Sequence, residues 1–373
     1  MSVRNESSPS SALRRFLGIA VLNVLLAFPL LYALYKHYDD AQAPMDTVAF
    51  MQMAEEGPAS VPSPVRYRLL TPALVQAMQV LPGYGIPVDF TTDPATQKTF
   101  FHFLILNFAF TVAASALLFL WLGRRVRAPF AWAGSLLYLF SFSVVTANLI
   151  PMSDAACHLA IIAALLCLDR AGISARVLFA VIGIFGALAK EAWFLVLAPW
   201  IVVSSWAGGD RKRLNTLLWM LPALCAFALA VWCIPQGGGQ GAGSMGDAYL
   251  GPEAYDRVSG GWNLLRVFRP GFWDRSFVFH TLLANLPLLA ALVAWAWMRW
   301  RPAISLRVRV PMNAELLLFP LLLVFGIALG IGNNAARLAF MAFPAAALLQ
   351  ARVLEALSGP LSGPLGEGDR GYL

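Results

Sequence analysis

The residues best suited to chemistry lie together in the stretch 46–72, after the first long apolar run of the chain. This stretch holds one carboxylate, Asp46, then a turn rich in proline and serine, and then Arg66 and Arg68 on either side of Tyr67. A carboxylate can accept the proton of an attacking hydroxyl group. Guanidinium groups bind phosphate oxygens through paired hydrogen bonds. Together these residue types are what an enzyme acting on a lipid-linked phosphate needs.

Two short helices are predicted to position these side chains. Asp46, Phe50 and Ala54 recur at four-residue spacing, which is typical of a helix. After the arginines, apolar side chains recur at helical spacing beside threonine and glutamine over 68–81. That pattern predicts an amphipathic helix that lies in the membrane interface rather than crossing the membrane. Both helices fall within a predicted external loop, 36–99.

The composition identifies the wider class of the protein. Of 373 residues, 59% are hydrophobic and only 13% are charged. Runs of about 20 apolar residues recur, which is the length that crosses a hydrocarbon core of roughly 30 Å. The sequence therefore predicts an all-α polytopic membrane protein. Its net charge of +7 is assigned to cytoplasmic loops, so no nucleic-acid partner is expected.

About ten transmembrane helices are predicted from the apolar runs and the charges between them. Lysine and arginine gather in every second connection, which places those connections and both termini in the cytoplasm. The first run is interpreted as an uncleaved span because it is longer than the apolar part of a signal peptide. Residues 1–357 form one predicted domain with large external loops at 36–99 and 235–275, and residues 358–373 form a disordered cytoplasmic tail. The predicted spans are 16–35, 100–122, 129–149, 155–169, 175–189, 191–207, 214–234, 277–298, 313–331 and 338–356.

Charged residues at the external ends of the predicted helices are the strongest functional signal in the sequence. Burial of charge within a membrane is costly and usually marks a functional site. The predicted topology places residues from five separate regions on this one face. The set comprises Asp46, Arg66, Arg68, Asp154, Lys190, Glu191 and Arg337, with His158 and His280 nearby and Asn334 close to Arg337.

Simpler structural roles are open for individual members of this set. Asp154 follows Pro-Met-Ser and suits the N-cap of a helix. The arginine pair could anchor the interfacial helix to anionic lipid headgroups, and Lys190 with Glu191 could form only a tight turn between two apolar runs. His158 lies one helical turn after Asp154 and suits a packing role.

No cofactor is predicted from the sequence. The four cysteines lie within apolar runs, with no C-x-x-C pair and no histidine spacing suited to zinc. They are interpreted as small buried side chains. A divalent metal ion would be compatible with the chemistry above, but no motif indicates one.

Four segments of the chain resemble the GT-C superfamily of integral-membrane glycosyltransferases, most closely its uncharacterised bacterial members. They read D-T-V-A-F-M-Q-M-A with R-Y-R-L-L-T-P-A-L (46–74), M-S-D-A-A-C-H-L-A (152–160), G-A-L-A-K-E-A-W-F-L-V-L-A-P (186–199) and A-R-L-A-F-M-A-F-P (336–344). The segments occur in the family's order. The resemblance implies a GT-C-like fold and a polyprenyl-phosphate sugar as donor. It also implies that the acidic residue of the first external loop, here Asp46, is the catalytic base.

Transfer of a sugar from this donor to an acceptor hydroxyl accounts for the predicted site. As the sugar leaves, the phosphodiester becomes a phosphate monoester, and cations aimed at the growing negative charge lower the barrier. Asp46 would take the acceptor's proton, and a single displacement would invert the configuration. Asp154 joins Asp46 in the expected catalytic set, where it orients the cations or the sugar hydroxyls together with Glu191. The expected substrate-binding residues are Arg66, Arg68, Lys190, Glu191, Arg337, His158 and Asn334.

The expected location is the bacterial plasma membrane, with the site facing the exterior. The expected partners are the polyprenyl-phosphate sugar, a glycan, lipid or protein acceptor, and membrane lipids. Two alternative functions are open. A transporter or flippase for polyprenyl-linked lipids or solutes would also bury charge, although such sites tend to lie near the midplane between repeated halves. A polysaccharide polymerase or ligase would rely on a large external loop such as 235–275.

Overall fold

A computed structural model describes eight ranges of the chain, and within them the secondary structure is helical throughout, with no strand. The helical fold class predicted from composition is therefore confirmed for these residues. The predicted span 313–331, the loop 235–275, Asn334, Arg337 and the tail after residue 358 lie outside them. The described residues are 9–37, 45–61, 65–82, 93–141, 144–207, 211–234, 286–300 and 340–358.

Eleven α-helices lie within the described ranges. They are accompanied by short 3-10 turns at Pro58–Ser60 and Val65–Tyr67, a longer 3-10 segment at Arg211–Met220 and a π-helical turn at Val144–Asn148. The α-helices are α1 (Pro9–His37), α2 (Met45–Glu56), α3 (Leu70–Met78), α4 (Pro94–Leu122), α5 (Ala128–Leu139), α6 (Asp154–Leu168), α7 (Ile173–Ala189), α8 (Ala192–Ala207), α9 (Leu221–Cys233), α10 (Leu286–Trp300) and α11 (Phe343–Leu357).

Two helical segments of the described chain are long and apolar enough to cross a membrane. They are Pro94–Leu122, which is α4, and Leu214–Cys233, which combines the end of the 3-10 segment with α9. The shorter apolar stretches found among the described residues, which include Phe16–Pro29 within α1, have 10–17 residues each. The number of spans, about ten, therefore stays a prediction.

The core is built around α6, which packs between α4 and α7. Small residues let these helices approach closely, as in helix bundles that pack within membranes. A close approach of this kind is also seen between α5 and α11, because a Cβ atom added at Gly134 on α5 would lie 3.0 Å from the carbonyl oxygen of Ala347 on α11. The hydroxyls of Ser115 on α4 and Ser135 on α5 lie 2.8 Å apart and join those two helices through a buried hydrogen bond.

The largest difference from the predicted spans lies after α5. A span was expected over 129–149, but the helix ends at Leu139 and gives way to the π-helical turn. The hydroxyl of Ser141 accepts a hydrogen bond from the Val144 amide at 3.3 Å, and serine side chains compete with helical backbone bonding in this way. The chain therefore leaves the helix of α5 and passes through this turn before α6 begins.

The paired helices α7 and α8 agree with the sequence. Two helices interrupted at Lys190 and Glu191 were predicted, and α7 ends at Ala189 while α8 begins at Ala192. The predicted helix beginning at Asp46 is also confirmed, as α2. The predicted amphipathic helix over 68–81 is confirmed over the shorter range of α3.

Candidate functional site

Four charged side chains from three distant parts of the chain meet at one end of the helix bundle. Arg68 lies between the 3-10 turn Val65–Tyr67 and α3, Asp154 begins α6, and Lys190 and Glu191 join α7 to α8. Two salt bridges connect them, Arg68 with Glu191 and Lys190 with Asp154. We refer to these four residues as the charge cluster.

The salt bridge between Arg68 and Glu191 is bidentate. The Arg68 Nε atom donates to Glu191 Oε2 at 3.0 Å, and Nη2 donates to Oε1 at 2.6 Å. Two parallel hydrogen bonds fix both the distance and the orientation of a guanidinium and a carboxylate. This contact ties the start of α3 to the α7–α8 junction across 123 residues of sequence.

The salt bridge between Lys190 and Asp154 is more deeply buried. The Lys190 Nζ atom donates to Asp154 Oδ1 at 2.8 Å, and Asp154 is 1% exposed. Asp154 lies in the first turn of α6, where the helix dipole favours a negative charge. Because Lys190 and Glu191 are adjacent, the two salt bridges form one continuous cluster.

The α7–α8 junction is shaped by the packing of Trp193. The Trp193 amide donates to the Lys190 carbonyl at 3.1 Å, and the Lys190 amide donates to the Gly186 carbonyl at 2.9 Å. The fully buried indole lies directly on α7, because Gly183 and Gly186 present no side chain there. A Cβ atom at Gly183 would lie 2.9 Å from Trp193 Cη2, and one at Gly186 would overlap the indole ring. Glycine at these positions therefore sets the angle at which the junction presents its charges.

Gly186→Ala is expected to lower the free energy of unfolding by about 1–3 kcal/mol, the usual cost of adding a methyl group to a packed core. The new methyl group would push Trp193 away and displace Lys190. Denaturant-induced unfolding in mixed micelles measures the change. Gly18→Ala on α1 is the matched control, since no atom lies within 4 Å of a Cβ atom there. Equal stability of the Gly186→Ala protein and the wild type would contradict the close packing of Trp193 on α7.

The structure describes the remaining predicted site residues only in part. Arg66 is buried within the 3-10 turn, two residues before Arg68. Asp46 is the second residue of α2, and its side chain lies outside the described part of the structure. Arg337 and Asn334 fall in a range that the structure does not describe. Their roles stay predictions.

His158 lies one turn below Asp154 within a buried hydrogen-bonded group. Its Nδ1 atom accepts from Asn148 Nδ2 at 2.8 Å and lies 3.2 Å from the Tyr138 hydroxyl. The ring packs between aromatic side chains, with its centroid 4.8 Å from that of Phe343. These contacts give His158 a structural role in joining α5, α6 and the π-helical turn, alongside the substrate-binding role predicted for it.

Asn107 is a positioning residue that the sequence analysis did not single out. It is buried on α4, and its Nδ2 atom donates to the carbonyl oxygens of Ile150 and Met152 at 2.6 and 3.0 Å. These carbonyls belong to the turn that leads into Asp154. An asparagine inside a long apolar run was the signal that could have identified it, because polar groups there need partners.

The opposite end of the bundle carries salt bridges of a different character. Arg125 bonds both oxygens of Asp169, which follows the last residue of α6, at 2.7 and 2.8 Å. Arg127 bonds Glu355 of α11 at 2.8 Å. These pairs are more exposed than the charge cluster. The 15 residues of α6 separate the two ends by about 22 Å.

Neither a metal-ligand group nor a cysteine pair accompanies the charge cluster in the described ranges. Among the residues that the structure describes, no group of three or more histidine, cysteine or acidic side chains is arranged to hold a metal ion. The thiols of Cys157 and Cys167 are free and buried, and those of Cys225 and Cys233 are free and exposed. Metal dependence stays open to experiment.

Comparison of the chain with protein-family models, with curated proteins and with solved structures finds no match. The resemblance to GT-C glycosyltransferases therefore stays an expectation based on four sequence segments.

Proposed function

We propose that this chain is a membrane-embedded glycosyltransferase. It moves a sugar from a polyprenyl-phosphate carrier to an acceptor hydroxyl, with inversion, at the external face of the bacterial plasma membrane. The observation that carries the proposal is the charge cluster, in which residues distant in sequence hold two cations and two carboxylates at one end of an apolar helix bundle. Buried charge of this kind in an apolar setting is costly and is usually retained for function.

The cations of the cluster suit a phosphate that gains negative charge during the reaction. Arg68 and Lys190 form salt bridges with Glu191 and Asp154, and Arg66 is a third buried cation two residues from Arg68. The carboxylates hold the cations in place before substrate arrives, and preorganised charges of this kind stabilise a transition state without reorganisation.

Asp46 begins the chemical step in this proposal. Its carboxylate accepts the proton of the acceptor hydroxyl while that oxygen forms a bond to the anomeric carbon of the donor sugar. The bond between the anomeric carbon and the phosphate oxygen breaks, and its electron pair leaves with the polyprenyl phosphate. Arg68 and Lys190 stabilise the resulting dianionic monoester, while Asp154 and Glu191 orient these two cations.

The helix α3 would flank the path of the lipid tail. Thr71, Pro72 and Val75 are buried against the rest of the protein, whereas Ala73 and Leu74 are exposed. An amphipathic helix with an exposed apolar side chain suits the boundary between headgroups and acyl chains. Arg68 immediately precedes this helix, so a polyprenyl chain beside α3 would place its phosphate near the charge cluster.

A panel of donors tests the proposed function. The purified full-length chain, reconstituted in lipid nanodiscs, is incubated with radiolabelled polyprenyl phosphates that carry different hexoses and pentoses. Release or transfer of sugar from at least one donor is expected. Tight binding of a donor without turnover under any acceptor condition would refute the enzyme and favour a carrier of polyprenyl-linked lipids.

A further inference from the structure

Three buried hydroxyl groups flank the charge cluster along the chain. Tyr67 precedes Arg68, Thr71 lies in the first turn of α3, and Ser153 precedes Asp154. Each side chain is at most 1% exposed, and its oxygen has no hydrogen-bond partner among the residues that the structure describes. Most buried polar side-chain atoms in folded proteins do have such a partner. These hydroxyls therefore require an explanation.

The local structure does not supply partners for them. Ser153 occupies the N-cap of α6, yet its hydroxyl does not cap the helix. Tyr67 belongs to a small hydrophobic cluster that includes Ile234 after α9, with Leu188 near the end of α7 packed against the cluster. The apolar part of Tyr67 is thus well packed beside the α7–α8 junction, while its hydroxyl is left without a bond at a free-energy cost.

We propose that these three hydroxyls form a subsite for the sugar of the donor. This inference rests on the proposed function and extends it, because it assigns the sugar to side chains outside the charge cluster. A hydroxyl group both donates and accepts hydrogen bonds, which matches the hydroxyls of a sugar, whereas the cations match the phosphate. Binding of the donor would give each of the three buried oxygens its missing partner.

The subsite has a thermodynamic signature that a structural role would not produce. A hydroxyl that holds the fold together stabilises the free protein, so its removal lowers the melting temperature. A buried hydroxyl whose only hydrogen-bond partner is a bound ligand lowers the stability of the free protein and stabilises only the complex. Tyr67→Phe, Thr71→Val and Ser153→Ala each remove one hydroxyl with little change in shape, so they separate the two cases.

A matched control is available on α8. Ser205 is also buried and its hydroxyl also lacks a bonding partner among the described residues. It lies fourteen residues after Glu191, about 20 Å further along the chain at the helical rise of roughly 1.5 Å per residue. Ser205→Ala therefore tests whether removal of any buried hydroxyl affects binding.

The experiment measures the melting temperature and donor affinity of each variant in nanodiscs. The probes are the donor from the polyprenyl-phosphate sugar panel that binds the wild type most tightly, and the same polyprenyl phosphate without sugar. We expect the Tyr67, Thr71 and Ser153 variants to melt no lower than the wild type. Their Kd for the sugar-bearing donor should rise about 3–10-fold, the effect of losing one hydrogen bond. Their Kd for the bare polyprenyl phosphate should stay within about twofold of the wild-type value, as should both constants for Ser205→Ala.

The possible outcomes separate this inference from the function on which it rests. If the wild type binds no donor of the panel, the proposed function fails and the subsite fails with it. If the wild type binds a donor and the three variants bind it equally well, the subsite alone is overturned. A lower melting temperature of the free variants would also overturn it, because the hydroxyls would then contribute to the fold. Equal weakening of both probes would assign the hydroxyls to the phosphate and refute a sugar subsite.

Discussion

Replacing Lys190 by methionine is expected to lower the free energy of unfolding by about 3–5 kcal/mol. The loss follows because Asp154 is 1% exposed and would remain buried without the ammonium group that now lies 2.8 Å from its oxygen. The N-terminus of α6 offsets only part of that cost. Methionine occupies nearly the volume of lysine, so lost packing contributes little. Denaturant-induced unfolding in mixed micelles measures the change.

Two further variants show whether the buried charge causes this loss. The double variant Lys190→Met with Asp154→Leu should recover much of the stability, because it removes the buried carboxylate together with the ammonium group that it binds. Glu355→Gln, which breaks the more exposed pair with Arg127, should cost only about 0–1 kcal/mol. If Lys190→Met costs no more than Glu355→Gln, the buried character of the cluster is refuted.

Replacing Asp46 by asparagine is expected to lower the rate of sugar transfer by about 10²–10⁴-fold, the usual contribution of a general base. Asparagine keeps the size of the side chain and cannot accept the proton of the acceptor hydroxyl. The affinity for the donor should change little, because the phosphate is assigned to the cations of the charge cluster. Single-turnover release of sugar from the best donor measures the chemical step directly.

The acidic residue Glu55 on the same helix provides the control. It is exposed near the end of α2, and the proposed mechanism gives it no role, so Glu55→Gln should transfer sugar at the wild-type rate. A steady-state comparison of both variants with the wild type is sufficient. If the Asp46→Asn variant transferred sugar at the wild-type rate, Asp46 would not be the general base that accepts the acceptor's proton.

The sequence was most informative where a charge interrupts an apolar run. Lys190 and Glu191 marked the break between α7 and α8 to within a residue, because two charges are costly inside an apolar helix. Asp154 marked the start of α6 for the related reason that a carboxylate suits a helix N-terminus. Loop charges alone led to the prediction that Arg68, Asp154 and the Lys190–Glu191 pair lie on one face. The structure brings these residues together.

Other features depend on contacts that leave no local pattern in the sequence. The end of α5 at Leu139 lies within an apolar stretch that reads as a continuous span. The support that Asn107 gives to the turn before Asp154 joins residues more than 40 positions apart. The pairing of each cation with a particular carboxylate likewise depends on the distances between side chains in the folded chain. Charge counting therefore predicts the helix breaks that charged residues cause better than it predicts breaks within apolar runs or the partners of side chains.

The extended backbone of Lys190 fixes the number of residues that the α7–α8 connection can contain. Lys190 has φ −165° and ψ 135°, and neighbouring side chains of an extended chain project to opposite sides. Lys190 therefore reaches Asp154 while Glu191 reaches Arg68 on another element. Insertion of one residue between Ala189 and Ala192 would turn each charge towards the wrong neighbour. Reporter tags and fused domains consequently belong in other connections, such as the exposed turn at 170–172.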